Sequence, residues 1–589
     1  MKNHEVAELL RNIAQLLEIK GELIFKIRAY EKAALVIENL DENIEDVWKK
    51  GKLDDIPGVG EALTKKISEF LETGKLEYYE KLKKQVPVNM EELGKVSGLG
   101  PKTIMKLYNE LNVKNLKDLE KAAKQKKIEK IEGLGEIVEE NILKSIEFAK
   151  STGNRFLLGT ALDIGEEVKD RLKKLNYVNK VEIAGSLRRR KETIGDIDIL
   201  ITSKNPSKVI DFFTRMEDVE QVLAQGPTKS SVRLREGLQA DLRVLPEKIY
   251  GAGLLYFTGS KQHNIVLRRI AIKKGMKLSE YGVFSKKNNK LLAGKTEEEC
   301  YKKLGLKYIE PEIREDEGEI ELAIKNKLPK LIDYKDLKGD LQMHTEYSDG
   351  NNSIMEMVQT AKNLGHEYIC FTDHVGETFK IANSLNEKRI KKQRIEINKV
   401  NKILEKQSFS RRRKSKAFSS EMKGIVILQG GEVNIKSDGS MDMKNSVLRD
   451  LDIVLASIHS GFKNPKEKIT KRICKAMENP NVDIIAHPSA RLINQRPAIE
   501  WDFDEILEKA RQTKTILEVN ASQERLDLKD VYVKAAVKAN VKLSIGTDSH
   551  EADQLRNYKL GIATARRGWA AKKDIINTYS VKDMLNLLK

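Results

Sequence analysis

Ile183-Ala184-Gly185-Ser186-Leu187-Arg188-Arg189-Arg190-Lys191-Glu192-Thr193-Ile194-Gly195-Asp196-Ile197-Asp198-Ile199-Leu200-Ile201 sets a Gly-Ser turn ahead of a carboxylate pair in an apolar run. Side chains two apart on a strand share a face, so Asp196 and Asp198 point the same way while Ile197 and Ile199 turn to the core. Two carboxylates on one face suit a hard divalent cation. Taken alone, an Asp-x-Asp strand also suits a solvated edge or a calcium site, so the neighbours decide. Leu238-Gln239-Ala240-Asp241-Leu242-Arg243-Val244 repeats the alternation, and Asp241 could complete a three-carboxylate cluster. Two metals on such a cluster serve nucleotidyl transfer.

Working outward, 589 residues are too many for one core and imply three or more compact units at roughly 100–200 residues each. The net charge of +18 favours polyanionic partners, nucleic acid first. Only Cys300, Cys370 and Cys474 occur, without paired spacing, which excludes a disulfide framework or a cysteine-rich zinc module and fits a reducing cytoplasm. No apolar run approaches the roughly 20 residues needed to cross a bilayer, so no membrane partner is expected.

The first 150 or so residues read as helical, with three glycine turns: Ile56-Pro57-Gly58-Val59-Gly60, Val96-Ser97-Gly98-Leu99-Gly100 and Ile131-Glu132-Gly133-Leu134-Gly135. A Gly-x-Gly hairpin at a helix N-terminus directs backbone N–H groups at a phosphate without reading bases. These turns resemble helix-hairpin-helix elements. A single one is often just a tight turn between helices, and the third is the weakest because Glu132, Glu136, Glu139 and Glu140 flank it.

From about 155 the pattern becomes short strands and helices. Gly185-Ser186 with Arg188-Arg189, then Gly195-Asp196-Ile197-Asp198, Asp241 and Tyr256-Phe257-Thr258-Gly259-Ser260 together resemble the X family of DNA polymerases, from the N-terminal helices to about residue 316. The resemblance implies that Gly185, Ser186, Arg189 and Gly195 bind the incoming triphosphate and that Asp196 and Asp198 hold both metals. It gives Asp241 the catalytic metal near the primer hydroxyl, with Arg243 adjusting it. Tyr256, Phe257 and Gly259 would shape the sugar pocket, and Asn264 and Arg268 would read the nascent pair. Arginine's fork suits phosphate oxygens, and glycine admits close backbone approach. Lys66 occupies the position of the Schiff-base lysine in members with deoxyribose-phosphate lyase activity. Clustering with Lys65 would help depress its pKa, and a simple phosphate contact on a basic helix is the competing reading.

Beyond an acidic-to-basic helical link at 317–336, six of the eight histidines gather in α/β sequence, five of them at ends of predicted strands. His344, Asp349, His374, Glu432, His459, His487, Asp548 and His550 can then converge on one face, as strand-end residues do in α/β barrels. The set resembles a PHP domain, a distorted barrel with a trinuclear centre that hydrolyses phosphoesters, and the resemblance makes those eight residues the metal ligands. That family commonly opens with two histidines one residue apart, whereas Gln342 stands in the first place here, so one metal is expected to be weakly held, exchanged or missing. His366 and Asp373 read as structural. The basic run 388–420 reads as a solvated loop interrupting the barrel, or as an arm that holds DNA.

The expected fold class is multidomain α+β and α/β: helical lyase-like residues 1–85, helical fingers 86–152, a mixed-sheet palm 153–245, a thumb 246–316, the link, and a (β/α)7 PHP barrel 337–589. The resemblance to PHP-bearing bacterial and archaeal members of the X family implies a cytoplasmic, monomeric repair polymerase that fills short gaps and trims 3′ ends, in some members with abasic-site endonuclease activity. It further implies Mg2+ or Mn2+ at the palm, Mn2+, Zn2+ or Fe at the PHP centre, and gapped or nicked duplex DNA and deoxynucleoside triphosphates as partners. The alternative is a DNA-end scaffold with one site silent.

Overall fold

The computed structural model describes residues 2–588 apart from 21, 39–43, 57, 86–87, 90–92, 94–98, 100, 132, 136–137, 140–141, 144–145, 147–154, 236, 379–382 and 415–423. It divides into two compact units, Met1–Gly153 with Asn494–Pro497, and Asn154–Ile493 with Ala498–Lys589. No helix among the described residues is long and apolar enough to cross a membrane.

The first unit is all helical, and one apolar cluster runs from Val6 to Ile146. The two helical domains read from the sequence therefore share a core. Two of the glycine turns are built alike. Val59 N–H donates to the Ile56 carbonyl at 3.0 Å and Leu134 N–H to that of Ile131 at 2.9 Å. Gly58 and Gly133 take the third turn position at φ 90° and 78°, where a type II turn needs glycine. Gly60 and Gly135 follow, and their carbonyls accept the first helical amides. Gly98 and Gly100 lie outside the described residues. Of the acidic flank, Glu139 is buried and accepts from the amides of Ile128 and Glu129, so it braces the hairpin from within rather than opposing a phosphate.

The second unit opens with a five-stranded mixed sheet in the order β1 (Val178–Ile183), β2 (Asp196–Ser203), β5 (Gln239–Val244), β4 (Lys229–Leu234), β3 (Val219–Gln225). β2 and β5 run parallel, so Asp198 stands opposite Asp241, while Ile197 and Ile199 are fully buried. Next come helices Tyr250–Thr258 and Lys261–Lys273 and an antiparallel sheet of β6 (Met276–Ser279), β7 (Gly282–Ser285) and β8 (Leu291–Ala293). The segment read as a link is packed rather than free: Glu319 is buried and accepts from His263 Nδ1 at 2.6 Å, and Ile332 is fully buried.

Seven parallel strands then follow in order: β9 (Gly339–Asp340), β10 (Tyr368–Phe371), β12 (Val426–Asn434), β13 (Ile453–Ser457), β14 (Ile484–Ile485), β15 (Ile516–Asn520) and β16 (Leu543–Gly546), with β11 (His374–Val375) beside β12. The ends meet. Asp548 N–H donates to the Gln342 carbonyl at 2.9 Å and His344 N–H to that of Ser549 at 2.8 Å, which draws the first and last strands into a barrel.

The basic run differs from its reading as a loop. Residues Glu387–Lys414 form one helix, the connection that precedes β12. Ile390, Ile397, Val400 and Leu404 are buried at helical spacing, an apolar stripe that the surrounding lysines and arginines obscured. Residues 415–420 lie outside the described residues. Glu432 lies inside β12.

His366 is buried, with its ring edge on Tyr558 and Nε2 without a partner, and burial pushes its pKa down to about 4. The unfolded chain protonates this residue near 6.5 and the native state resists, so stability is lost as pH falls from about 6.5 to 4, by about 3 kcal/mol in all. His366→Leu should flatten that loss. Melting temperatures at pH 7 and 5 check it, and an unchanged drop in the variant would assign the acid sensitivity elsewhere.

Candidate active sites and metal centre

In the palm, Gly185 has φ 63°, and a Cβ there would lie 2.2 Å from Asp198 Oδ2, so only glycine lets the turn close over the carboxylate. Burial pushes the Asp198 pKa up to about 7, with Asp196 and Asp241 adding to it; burial and then Asp241 raise that of Asp196. Desolvated like charges on adjacent strands are what a hard dication relieves, and the donor set fits one. These three carboxylates are not among the described groups whose ligand atoms lie within 4.8 Å of one another.

Around them, Arg243 stacks over Phe257 at 4.6 Å, and Tyr256 meets Phe257 edge to face at 5.1 Å. Asn264 Nδ2 donates to the Tyr256 carbonyl at 2.7 Å and Arg268 Nε to the Asn264 carbonyl at 3.2 Å. Ser186 is partly buried in the turn, and a Cβ on Gly195 would meet Arg155 Nη1 at 3.1 Å. Arg188 forks onto Glu297 at 2.6 and 2.9 Å, which makes it structural. Arg189 donates to the Thr258 carbonyl and, at 3.1 Å, to Glu315, whose carboxylate also accepts from Arg567 at 3.1 Å. Arg567 donates in turn to the Arg189 carbonyl at 2.8 Å. A Cβ on Gly259 would meet Arg189 Nη1 at 3.0 Å. Sequence reasoning missed Arg155, Glu315 and Arg567, which belong to no local motif.

In the helical unit, Lys66 Nζ donates to the Ala62 carbonyl at 3.0 Å and lies 4.9 Å from the Tyr78 ring centroid. Burial, then Lys26, lowers its pKa. The neighbouring cation is therefore Lys26 rather than Lys65, which is paired with Glu61 at 2.7 Å.

At the C-terminal rim of the barrel all eight predicted ligands converge. Three described groups bring their ligand atoms within 4.8 Å: His344, Asp349, His374 and His550; His374, Glu432 and His459; and His344, Glu432 and Asp548. His487 joins through its Nε2, 2.9 Å from Glu432 Oε1. Against burial, hydrogen bonds to Asp548 and Glu432 hold the His344 pKa well above its ordinary value. Burial also opposes ionisation of Asp349, yet His374 and His550 hold it well below the carboxylate range. His344 Nδ1, Asp349 Oδ1 and His487 Nδ1 are buried without hydrogen-bond partners, and His487 and Asp548 sit at φ 29° and 55°. Orphaned polar atoms and strained backbone at ligand positions are what a bound cation compensates, so the residues fit a metal centre.

Gln342 is fully buried beside Glu432, to which its Nε2 donates at 3.0 Å, while its Oε1 accepts from Asn520 at 3.2 Å. An amide N–H thus faces the carboxylate where a further donor atom would stand. Asp373 is structural in a definite sense, because it accepts from Thr345 N at 2.8 Å and Ser348 Oγ at 2.6 Å and so fixes the loop that carries His344 and Asp349. Glu518 and Asn520 were missed: Asn520 ends β15, and Glu518 lies inside it as Glu432 lies inside β12. Glu518 accepts from His487 N at 2.7 Å, and Arg525 lies 3.2 Å from Asp548.

Profiles of known families match in the same order: a helix-hairpin-helix domain over 1–76, a SAM-like helix-hairpin-helix tandem over 90–147, the DNA polymerase beta palm over 161–275, its thumb over 253–315, and a PHP domain over 340–522. DNA polymerase/3′-5′ exonuclease PolX of Bacillus subtilis (strain 168) is 37% identical over 591 residues, all of both chains. The chain belongs to the PHP-bearing X family of DNA polymerases. DNA polymerase lambda of Arabidopsis thaliana is 30% identical over 52% of this chain and 62% of its own. A probable phosphatase of Thermoanaerobacter sp. (strain X514) matches at 29% identity over 28% of this chain and 68% of its own.

Proposed function

We propose that the chain fills short gaps in duplex DNA during repair and trims 3′ ends at its PHP centre. The observation that carries this reading is the register of Asp198 against Asp241 on parallel strands, with Asp196 on the same face, in a PolX homologue. Asp196, Asp198 and Asp241 would hold magnesium or manganese, which would lower the pKa of the primer 3′-hydroxyl and offset charge on the pyrophosphate. Ser186, Arg189 and the Gly185 and Gly195 turns bind the triphosphate, with Arg189 held in place by Glu315 and the Thr258 carbonyl. Tyr256, Phe257 and Gly259 bound the sugar, Asn264 and Arg268 face the nascent pair, and Arg243 orients the Asp241 side. Gly58, Gly60, Gly133 and Gly135 present amides to the phosphates of gapped or nicked duplex, a role that sequence alone extends to Gly98 and Gly100.

His344, Asp349, His374, Glu432, His459, His487, Asp548 and His550 would hold manganese, zinc or iron, which would lower the pKa of a water for phosphodiester hydrolysis. Of the three positions, the one bounded by His344, Glu432 and Asp548 is the weakest, because Gln342 turns a donor toward it. A lyase role for Lys66 is the second reading, favoured by its lowered pKa and partial burial.

The test is a 5′-phosphorylated one-nucleotide gap followed with magnesium and with manganese. Addition of one deoxynucleotide, with manganese-dependent 3′ shortening in its absence, is expected. No extension with either metal would leave only the scaffold alternative.

A further inference from the structure

A groove of about 440 Å3 opens beside the PHP centre, built by the segments that follow β12 and β13 together with helix Lys466–Met477. Lys468, Lys471, Arg472 and Lys475 line it against two carboxylates, Asp438 and Glu467. Arg472 ties the groove to the site. It is buried, its Nη1 donates to the Ser460 carbonyl at 2.7 Å, and its Nε donates to the carbonyls of Ile435 and Lys436 at 3.1 and 3.0 Å. Ser460 is the residue after His459, and Ile435 lies three residues beyond Glu432.

The three lysines are exposed on one face of the helix, at spacings of three and four, and no ion pair engages any of them among the described residues. Unpaired cations keep their counter-ions until a polyanion displaces them, so a row of them is energetically ready for a phosphate backbone. The row lies on the helix that leads away from the strand end carrying His459, and Arg472 anchors that helix beside it, which suits a strand whose end lies at the metals and whose next phosphates must be held.

Resting on the PHP reading above, we propose that this groove is the track for the single strand being trimmed, with Lys468, Lys471 and Lys475 each meeting a backbone phosphate. It grips the strand without reading bases and takes no part in hydrolysis, so it acts only on substrates long enough to reach it.

The test compares the full-length wild type with Lys468→Glu/Lys471→Glu/Lys475→Glu on two substrates, a single-stranded 20-mer and the small p-nitrophenyl ester of thymidine 5′-monophosphate. The expected result is a KM for the 20-mer at least about tenfold higher, a salt dependence shallower by about two in log–log slope for three lost contacts, and unchanged turnover of the ester. Lys559→Glu/Lys573→Glu/Lys582→Glu, the same charge change at exposed positions of the PHP domain that do not line the groove, should leave the 20-mer KM within about twofold. Equal loss on both substrates, no loss on the 20-mer, or an equal loss from the second triple variant would each overturn the proposal. A wild type that cleaves neither substrate would sink the PHP reading and the groove with it.

Discussion

Asp198→Asn, which keeps the shape of the side chain and removes its charge, is expected to cut nucleotide addition by about three orders of magnitude or more, equivalent to about 4 kcal/mol of transition-state stabilisation. Asp196→Ala/Asp198→Ala should abolish addition altogether. Manganese-dependent 3′ shortening should persist within about twofold in both, since the PHP ligands lie on other strands of the unit. The size of the effect follows from crowding. Asp198 is desolvated, flanked by Asp196 and Asp241, and overhung by Gly185. Its ionised form is therefore disfavoured in the cation-free fold. With a pKa raised to about 7 against about 3.9 unfolded, the group costs stability as pH rises through that window. Asp198→Asn should accordingly melt higher than wild type at pH 8 in chelator while losing synthesis. A variant that melts lower and still adds nucleotides would remove Asp198 from the chemistry. Loss of synthesis and trimming together would show that the two sites are not independent.

Glu432→Gln should have the converse outcome, with trimming down by at least about three orders of magnitude and gap filling retained. Glu432 belongs to two of the three ligand groups, and His344, His459 and His487 all lie within 3.3 Å of its oxygens. Burial opposes its ionisation, yet the surrounding imidazoles, His374 foremost, hold it well below the carboxylate range. The amide cannot bridge cations as a carboxylate does, so metal content measured on the purified chain should fall together with trimming. Full metal content with lost trimming would make Glu432 a reacting group rather than a holder, and retained trimming would place the hydrolytic centre elsewhere.

Much of this was legible in the residues because the relevant periods are short. A period of two places Asp196, Asp198 and Asp241, and the ends of apolar strands place the histidines. What escaped depends on long separations. Arg189 and Glu315 are 126 residues apart, and Arg567 lies farther still, so no local pattern pairs them. Lys26 stands beside Lys66 through helix packing rather than sequence proximity. The Glu387–Lys414 helix was hidden for a different reason: charge density overwhelmed a buried stripe of one residue in three or four. Asn520 closes β15 and Glu518 lies two residues inside it, so Glu518 fell outside a reading confined to strand ends.

The bonds from Asp548 to Gln342 and from His344 to Ser549 also set an order of events during synthesis. The first ligand leaves the ribosome some two hundred residues before its partners at the other end of the barrel, whereas every palm carboxylate is already out by Asp241. A nascent chain therefore carries the parts for joining nucleotides well before it can hold the metals for removing them. A message truncated anywhere before the codon for His550 yields a chain whose PHP centre is incomplete.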